Sequence, residues 1–249
     1  MPDVDLMLKV IPLLAGCALL VACSGVPPTT PTRVPSLSRT RFLAFGDSLT
    51  SGEISEPLGA LLLATGQTLG KLAIVPAVSY PSLLQSRLAT HYVAQVATIG
   101  VINAGMSLET AQNGVNRLPT TLAENPQAEV LLLMQGVNGL FIAGPDLTAD
   151  FVRDMVVLAK NRVRVFVGSM TPTLPGRKNS QVVFELEKLN SNLRSMAATE
   201  GVVFVDLYTP MLPEAATLIG IDGLHPNESG YRRISEIYFA AIQANLEVK

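Results

Sequence analysis

From residue 41 onward the chain alternates short, nearly unbroken apolar runs with longer stretches whose apolar positions recur every three or four residues. The runs Arg41–Phe45, Val96–Asn103, Glu129–Met134, Val163–Ser169 and Val202–Asp206 are rich in Val, Ile, Leu and Phe, as strands buried on both faces are. The stretches Pro81–Tyr92, Glu109–Glu124, Leu147–Arg162, Ser180–Thr199 and Glu228–Leu246 carry the helical period. Strand and helix in alternation predict βαβ units, and hence a doubly wound three-layer α/β/α sandwich with about five parallel strands. One segment breaks the rhythm. Gly52–Ser79 holds Leu61-Leu62-Leu63, several glycines, Pro57 and Pro76, and almost no charge. It is expected to form an extra core helix and a loop; an apolar wall or lid beside Ser48 is the functional alternative.

The N-terminal pattern is of another kind. Val10–Ala22 is an uncharged run of thirteen residues, shorter than the ~20 that span a membrane but of the length of a signal-peptide core. Lys9 precedes it, while Asp3 and Asp5 are unusual in a leader and make Met7 an alternative start. The run ends Leu20-Val21-Ala22-Cys23-Ser24, which resembles the bacterial lipobox. That resemblance implies a signal peptide over residues 1–22, lipid on Cys23 and attachment to a membrane. Ser24, in place of Asp, resembles the pattern of lipoproteins passed to the outer membrane, facing the periplasm. A non-lipidated secretory signal is the alternative. Residues 23–40, rich in Pro, Thr and Ser, then read as an extended tether and residues 41–249 as the functional domain. The chain's two cysteines are Cys17 and Cys23, so the domain has neither a disulfide nor a cysteine-based zinc site.

Composition narrows the functional classes. At 249 residues and 48% hydrophobic, the chain has material for one sizeable domain. A net charge of -2 with no Lys/Arg cluster argues against a nucleic-acid partner. Aromatics make up 5% and Trp is absent, which leaves little for stacking bases or glycans. No His/Asp/Glu cluster has the look of a metal site, no cofactor is expected, and oligomeric state leaves no signal. His91 reads as a surface residue, and Glu185–Arg194 as a solvated helix face.

The candidate chemistry lies where strands end. The first run stops at Gly46-Asp47-Ser48-Leu49, a turn into a hydroxyl at a helix start, at the edge where open α/β sheets build sites. By itself this is also an ordinary Asp/Ser helix cap. Asn103-Ala104-Gly105-Met106-Ser107-Leu108-Glu109-Thr110 follows the second run, and Gln135-Gly136-Val137-Asn138 the third. Asp222-Gly223-Leu224-His225-Pro226 precedes the last helix. Ester cleavage needs a nucleophile, a base, a group that orients the base, and donors for the oxyanion. Ser48, His225, Asp222 and the Asn138 amide supply those types, although Asp-Gly is also a turn signal and Asn138 also suits a helix cap.

On these four motifs, residues 41–249 resemble the GDSL (SGNH) hydrolases. The resemblance implies a flavodoxin-like α/β/α fold and esterase or lipase activity without metal. It implies Ser48 as nucleophile, His225 as base and Asp222 as its partner, with an oxyanion hole from the Ser48 N–H, the Asn138 side chain and one N–H of the second motif. The family usually has Gly in the place of Leu108, so Leu108 is the expected donor and Gly105 its alternative. It often has Asp in the place of Gly139. The apolar Gly52–Ser79 segment favours small acyl or alkyl esters, or lipid esters, at the cell envelope as substrates. A glycan O-acetyl esterase and a non-catalytic envelope-binding lipoprotein are the competing readings.

Overall fold

The computed structural model describes residues 34–57, 70–174 and 180–248. The expectations for residues 1–33, lipid on Cys23 included, and for Leu61–Leu63 lie outside the described residues. Residues from Val34 onward form one compact unit. In chain order its elements are β1 (Arg41–Gly46), α1 (Ser48–Ser51), β2 (Glu53–Pro57), β3 (Gly70–Ile74), α2 (Tyr80–His91), β4 (Gly100–Gly105), α3 (Ala111–Glu124), β5 (Val130–Met134), α4 (Leu140–Ala159), β6 (Arg164–Gly168), α5 (Ser180–Glu200), β7 (Val203–Val205), α6 (Tyr208–Met211), α7 (Ala215–Leu218) and α8 (Glu228–Leu246).

Five strands make one sheet, all parallel, in the order β4-β1-β5-β6-β7. Phe42–Phe45, Val130–Met134 and Val165–Val167 are buried throughout, which is why their sequences show no alternation. Two helix layers cover the sheet. In one, α2 packs on α8, with Leu84, Leu88, Ile234 and Ile242 buried and the Tyr80 and Tyr238 rings stacked at 5.0 Å. In the other, α3, α4 and α5 pack in succession through Leu118, Leu122, Met155, Val156, Leu189 and Leu193.

The expected sandwich is present, with four local differences. The second strand begins at Gly100 rather than at residue 96. Val93–Gln95 forms a 3-10 turn, and the Gln95 side chain binds both backbone polar groups of Leu37 in place of a strand partner. The third helical stretch starts at Leu140 and is broken at Gly144 (φ 73°), ahead of Pro145. Within the Gly52–Ser79 segment, Glu53–Pro57 and Gly70–Ile74 pair as the antiparallel ladder β2–β3, and Pro76–Val78 adds a 3-10 turn. Gly52, at φ 90°, lets the chain turn from α1 straight into β2. Finally, residues 36–38 pack against the end of the chain. Leu37 is buried and bridges Glu247, Ser38 N–H donates to Leu246 O, and Val248 N–H donates to Ser36 O.

This topology positions the site. From β1 the chain passes to β4 on one side and later crosses to β5 on the other, so a crevice opens beyond the carboxyl ends of these strands. The three strand-end motifs all emerge there.

Candidate active site

Ser48 is the first residue of α1 and is almost fully buried. Two glycines let that short helix sit on the sheet edge. A Cβ at Gly46 would lie 2.0 Å from Met134 O, and one at Gly105 would lie 2.2 Å from Ser51 N. Asp47 caps the helix, its carboxylate accepting the Leu49 N–H at 3.0 Å. Complete burial pushes the Asp47 carboxyl up to about 6, against the pull of the Leu49 and Gly136 amides and of His225.

His225 Nε2 lies 2.9 Å from Ser48 Oγ, and its Nδ1 lies 2.6 Å from Asp222 Oδ2. The loop that carries both residues is closed by the Ile219–Pro226 bridge and by the Gly220 N–H donated to His225 O at 2.7 Å. Gly223, at φ 73°, makes the turn between acid and imidazole. Asp222 Oδ1 accepts three further hydrogen bonds, from Leu224 N–H, His225 N–H and Ser55 Oγ, each at 3.1 Å. Partial burial raises the Asp222 pKa, but the hydrogen bonds from His225 and Leu224 outweigh it and hold the carboxyl at about 2.

The second and third motifs meet beside this row. Asn138 Nδ2 donates one hydrogen to Glu109 O at 3.0 Å, which fixes the amide and leaves its second N–H. Gly139 lies at the start of α4, its carbonyl accepting from Ile142 and Ala143 N–H. The absence of an aspartate there therefore leaves Asn138 anchored. Leu108 stands at φ 64°, the one non-glycine with positive φ among the described residues, in a turn closed by Glu109 N–H to Met106 O at 3.2 Å. Its N–H has no acceptor among the described residues. Gly105 does not fit as the alternative donor, because its N–H is already given to Asn103 Oδ1 at 3.0 Å. The Leu108 side chain is 80% exposed and does not fill the space around Ser48.

Several further residues, in and outside the motifs, hold this arrangement. Arg117 grips the buried Glu109 carboxylate in a fork of 2.6 and 2.5 Å, donates to Ala104 O and Gly46 O, and stacks 3.9 Å over Phe45. Tyr231 Oη donates to Glu53 O at 2.7 Å, Ser107 Oγ to Glu53 Oε2 at 2.6 Å, and Ser51 Oγ to Ser48 O at 3.1 Å. Only polar character marked Ser55 and Arg117 in the sequence, while Glu109 lies inside the second motif; the partners of all three are set by the tertiary fold. His91 lies elsewhere, between the edges of Tyr92 and Phe239. No group of three or more metal-ligating side chains occurs among the described residues.

A parallel sheet with a hydroxyl, an imidazole and a carboxylate in one hydrogen-bonded row at its carboxyl edge defines an α/β protein equipped for acyl transfer. The family model for GDSL-like lipases and acylhydrolases matches residues 44–233. The chain belongs to that family and is a carboxylic ester hydrolase. Curated proteins give no match. Among solved structures, the inhibitor-bound aryl esterase of M. smegmatis superposes with a TM-score of 0.64 at 22% identity, over 82% of this chain and 99% of that one. An acetylxylan esterase from Geobacillus stearothermophilus gives 0.64 at 18% identity, over 82% and 94%. A G-D-S-L family member from Veillonella parvula gives 0.60 at 18% identity, over 81% and 97%. At these identities the likeness is one of fold.

Proposed function

We propose that the enzyme cleaves esters through an acyl-enzyme on Ser48. Ser48 Oγ attacks the ester carbonyl as His225 Nε2 takes its proton. The tetrahedral oxyanion is met by the N–H groups of Ser48 and Leu108 and the free N–H of Asn138. Collapse expels the alcohol, which receives the proton from His225. Water then repeats the cycle and frees the acid. Asp222, ionised down to about pH 2, keeps Nδ1 protonated and balances the imidazolium. The observation that carries this reading is the row Ser48 Oγ–His225 Nε2 at 2.9 Å and His225 Nδ1–Asp222 Oδ2 at 2.6 Å. Fluorophosphonate labelling tests it. Wild type should label, while Ser48→Ala and His225→Ala, folded by circular dichroism, should not. A folded wild type that stays unlabelled would count against it.

For substrate, we favour short acyl esters. A cavity of about 110 Å³ beside Asn138 is walled by Val137, Leu140, Leu186 and Leu224. It is small against the ~300–1,000 Å³ of drug-sized sites. The same size favours acetyl esters of glycans as a second reading. Release rates from p-nitrophenyl acetate, butyrate and octanoate should fall steeply by octanoate, and an octanoate optimum would overturn the short-acyl reading. Acetate release from acetylated glycans separates the second reading from the first. Placement at the envelope rests on residues 10–23, and mass spectrometry of the mature N-terminus for lipid on Cys23 tests it.

A further inference from the structure

Asp222 is held by two kinds of partner. The N–H groups of Leu224 and His225 belong to its own loop and move with it. Ser55 does not: it lies 167 residues away in the chain, on β2, and is buried. Its hydroxyl is engaged twice by the same residue, donating to Asp222 Oδ1 at 3.1 Å and accepting Asp222 N–H at 3.2 Å. The loop lies flush against it, since a Cβ on Gly220 would stand 2.4 Å from Ser55 Oγ. Ser55 is itself fixed. It pairs in register with Leu72 of β3, and two residues before it Glu53 is bound by Tyr231 and Ser107. Beyond Glu53 the chain leads back through Gly52 and Ser51 to Ser48.

One short segment thus carries the serine at one end and grips the carboxylate at the other. We propose that Ser55 is a positioning residue for the Asp222–His225 pair: it sets the rotation of the carboxylate, so that Oδ2 faces the imidazole, and the seating of the loop relative to Ser48. This rests on the triad reading given above. The segment after the Gly46-Asp47-Ser48-Leu49 motif then acts as a strut between nucleophile and acid, besides any part it has in lining the site.

The test compares Ser55→Ala, Ser55→Thr and the double variant Ser55→Ala/Gly220→Ala with wild type, and with Asp222→Asn as control. Ser55→Ala should lower kcat by ~10–100-fold, as small misplacements of catalytic groups do, with KM within about twofold. The downfield proton resonance of the His225 Nδ1–H···Asp222 bond should move upfield. Ser55→Thr, which keeps the hydroxyl, should recover most of kcat. The double variant refills the vacated space without a hydroxyl; it should stay slow, and its recovery would reduce Ser55 to packing. An unchanged kcat and unchanged resonance in Ser55→Ala would overturn the inference, even with Ser48→Ala and His225→Ala inactive. An Asp222→Asn variant as fast as wild type would instead sink the role of Asp222 itself. If Ser55→Ala does not fold, the single variant Gly220→Ala displaces the loop from the other side; it should show the same loss of kcat and upfield shift, and their absence would overturn the proposal.

Discussion

Leu108 occupies a backbone conformation that costs a branched L-residue about 1 kcal/mol or more, and its side chain, 80% exposed, recovers little of that by packing. Leu108→Gly should therefore raise Tm by about 2–4 °C in a domain of this size, read by thermal unfolding; an unchanged or lower Tm would show that leucine is at ease there. Asp47 makes a second case. Its carboxyl titrates at about 6 in the folded protein and near 3.8 in the unfolded chain. Between those values the folded form holds more protons, so stability falls as pH rises through that window and stays lower above it. A gap of that width corresponds to about 3 kcal/mol. Asp47→Asn keeps a helix cap and removes the titration. Urea unfolding at pH 4 and pH 7 should show the wild type losing about 2 kcal/mol more between the two than the variant does, since part of the loss already lies below pH 4; equal losses would contradict the assignment.

The elements divide by how much of their surroundings a local pattern can express. β1, β5 and β6 are covered on both faces, so their burial is written into unbroken apolar runs, and they lie within a residue or two of where hydropathy puts them. β4 is an edge strand with Ile102 partly exposed. Its expected start lies too early because Val96, apolar but on the surface, extends the run beyond the strand. β2 and β3 were missed because the leucine-rich stretch between them dominates the composition of Gly52–Ser79. Within the site, Ser48, Asn138, Asp222 and His225 were legible from strand-end motifs. Ser55 and Arg117 were not, and Glu109, although inside the second motif, gave no sign of its partner there. Arg117 shows what was hidden: from α3 it joins the ends of β1 and β4 to the buried carboxylate of Glu109. Arg117→Met would leave that carboxylate uncompensated at a cost of about 3–5 kcal/mol, with kcat reduced because Glu109 O holds Asn138. Adding Glu109→Gln should restore part of the stability, which chemical denaturation of both variants would show. If Arg117→Met alone cost under 1 kcal/mol, the fork would be ornamental.

Taken whole, the molecule is organised by the far ends of its chain. Ser48 and His225 are 177 positions apart, yet within hydrogen-bond distance. Residues 36–38 run against residues 246–248, and Tyr231 of α8 reaches Glu53. The sheet can be largely assembled from β1 to β7 without any of the acid–base pair in place. For biosynthesis the consequence is one of timing. If Ser48 and His225 act together as proposed, a nascent chain carries its serine early but gains its base only when the loop before α8 has been made and has reached the end of β1. On the acyl-enzyme proposal, catalytic competence comes only with the last part of the chain, and a fragment that stops short of His225 should be inactive even where its sheet folds.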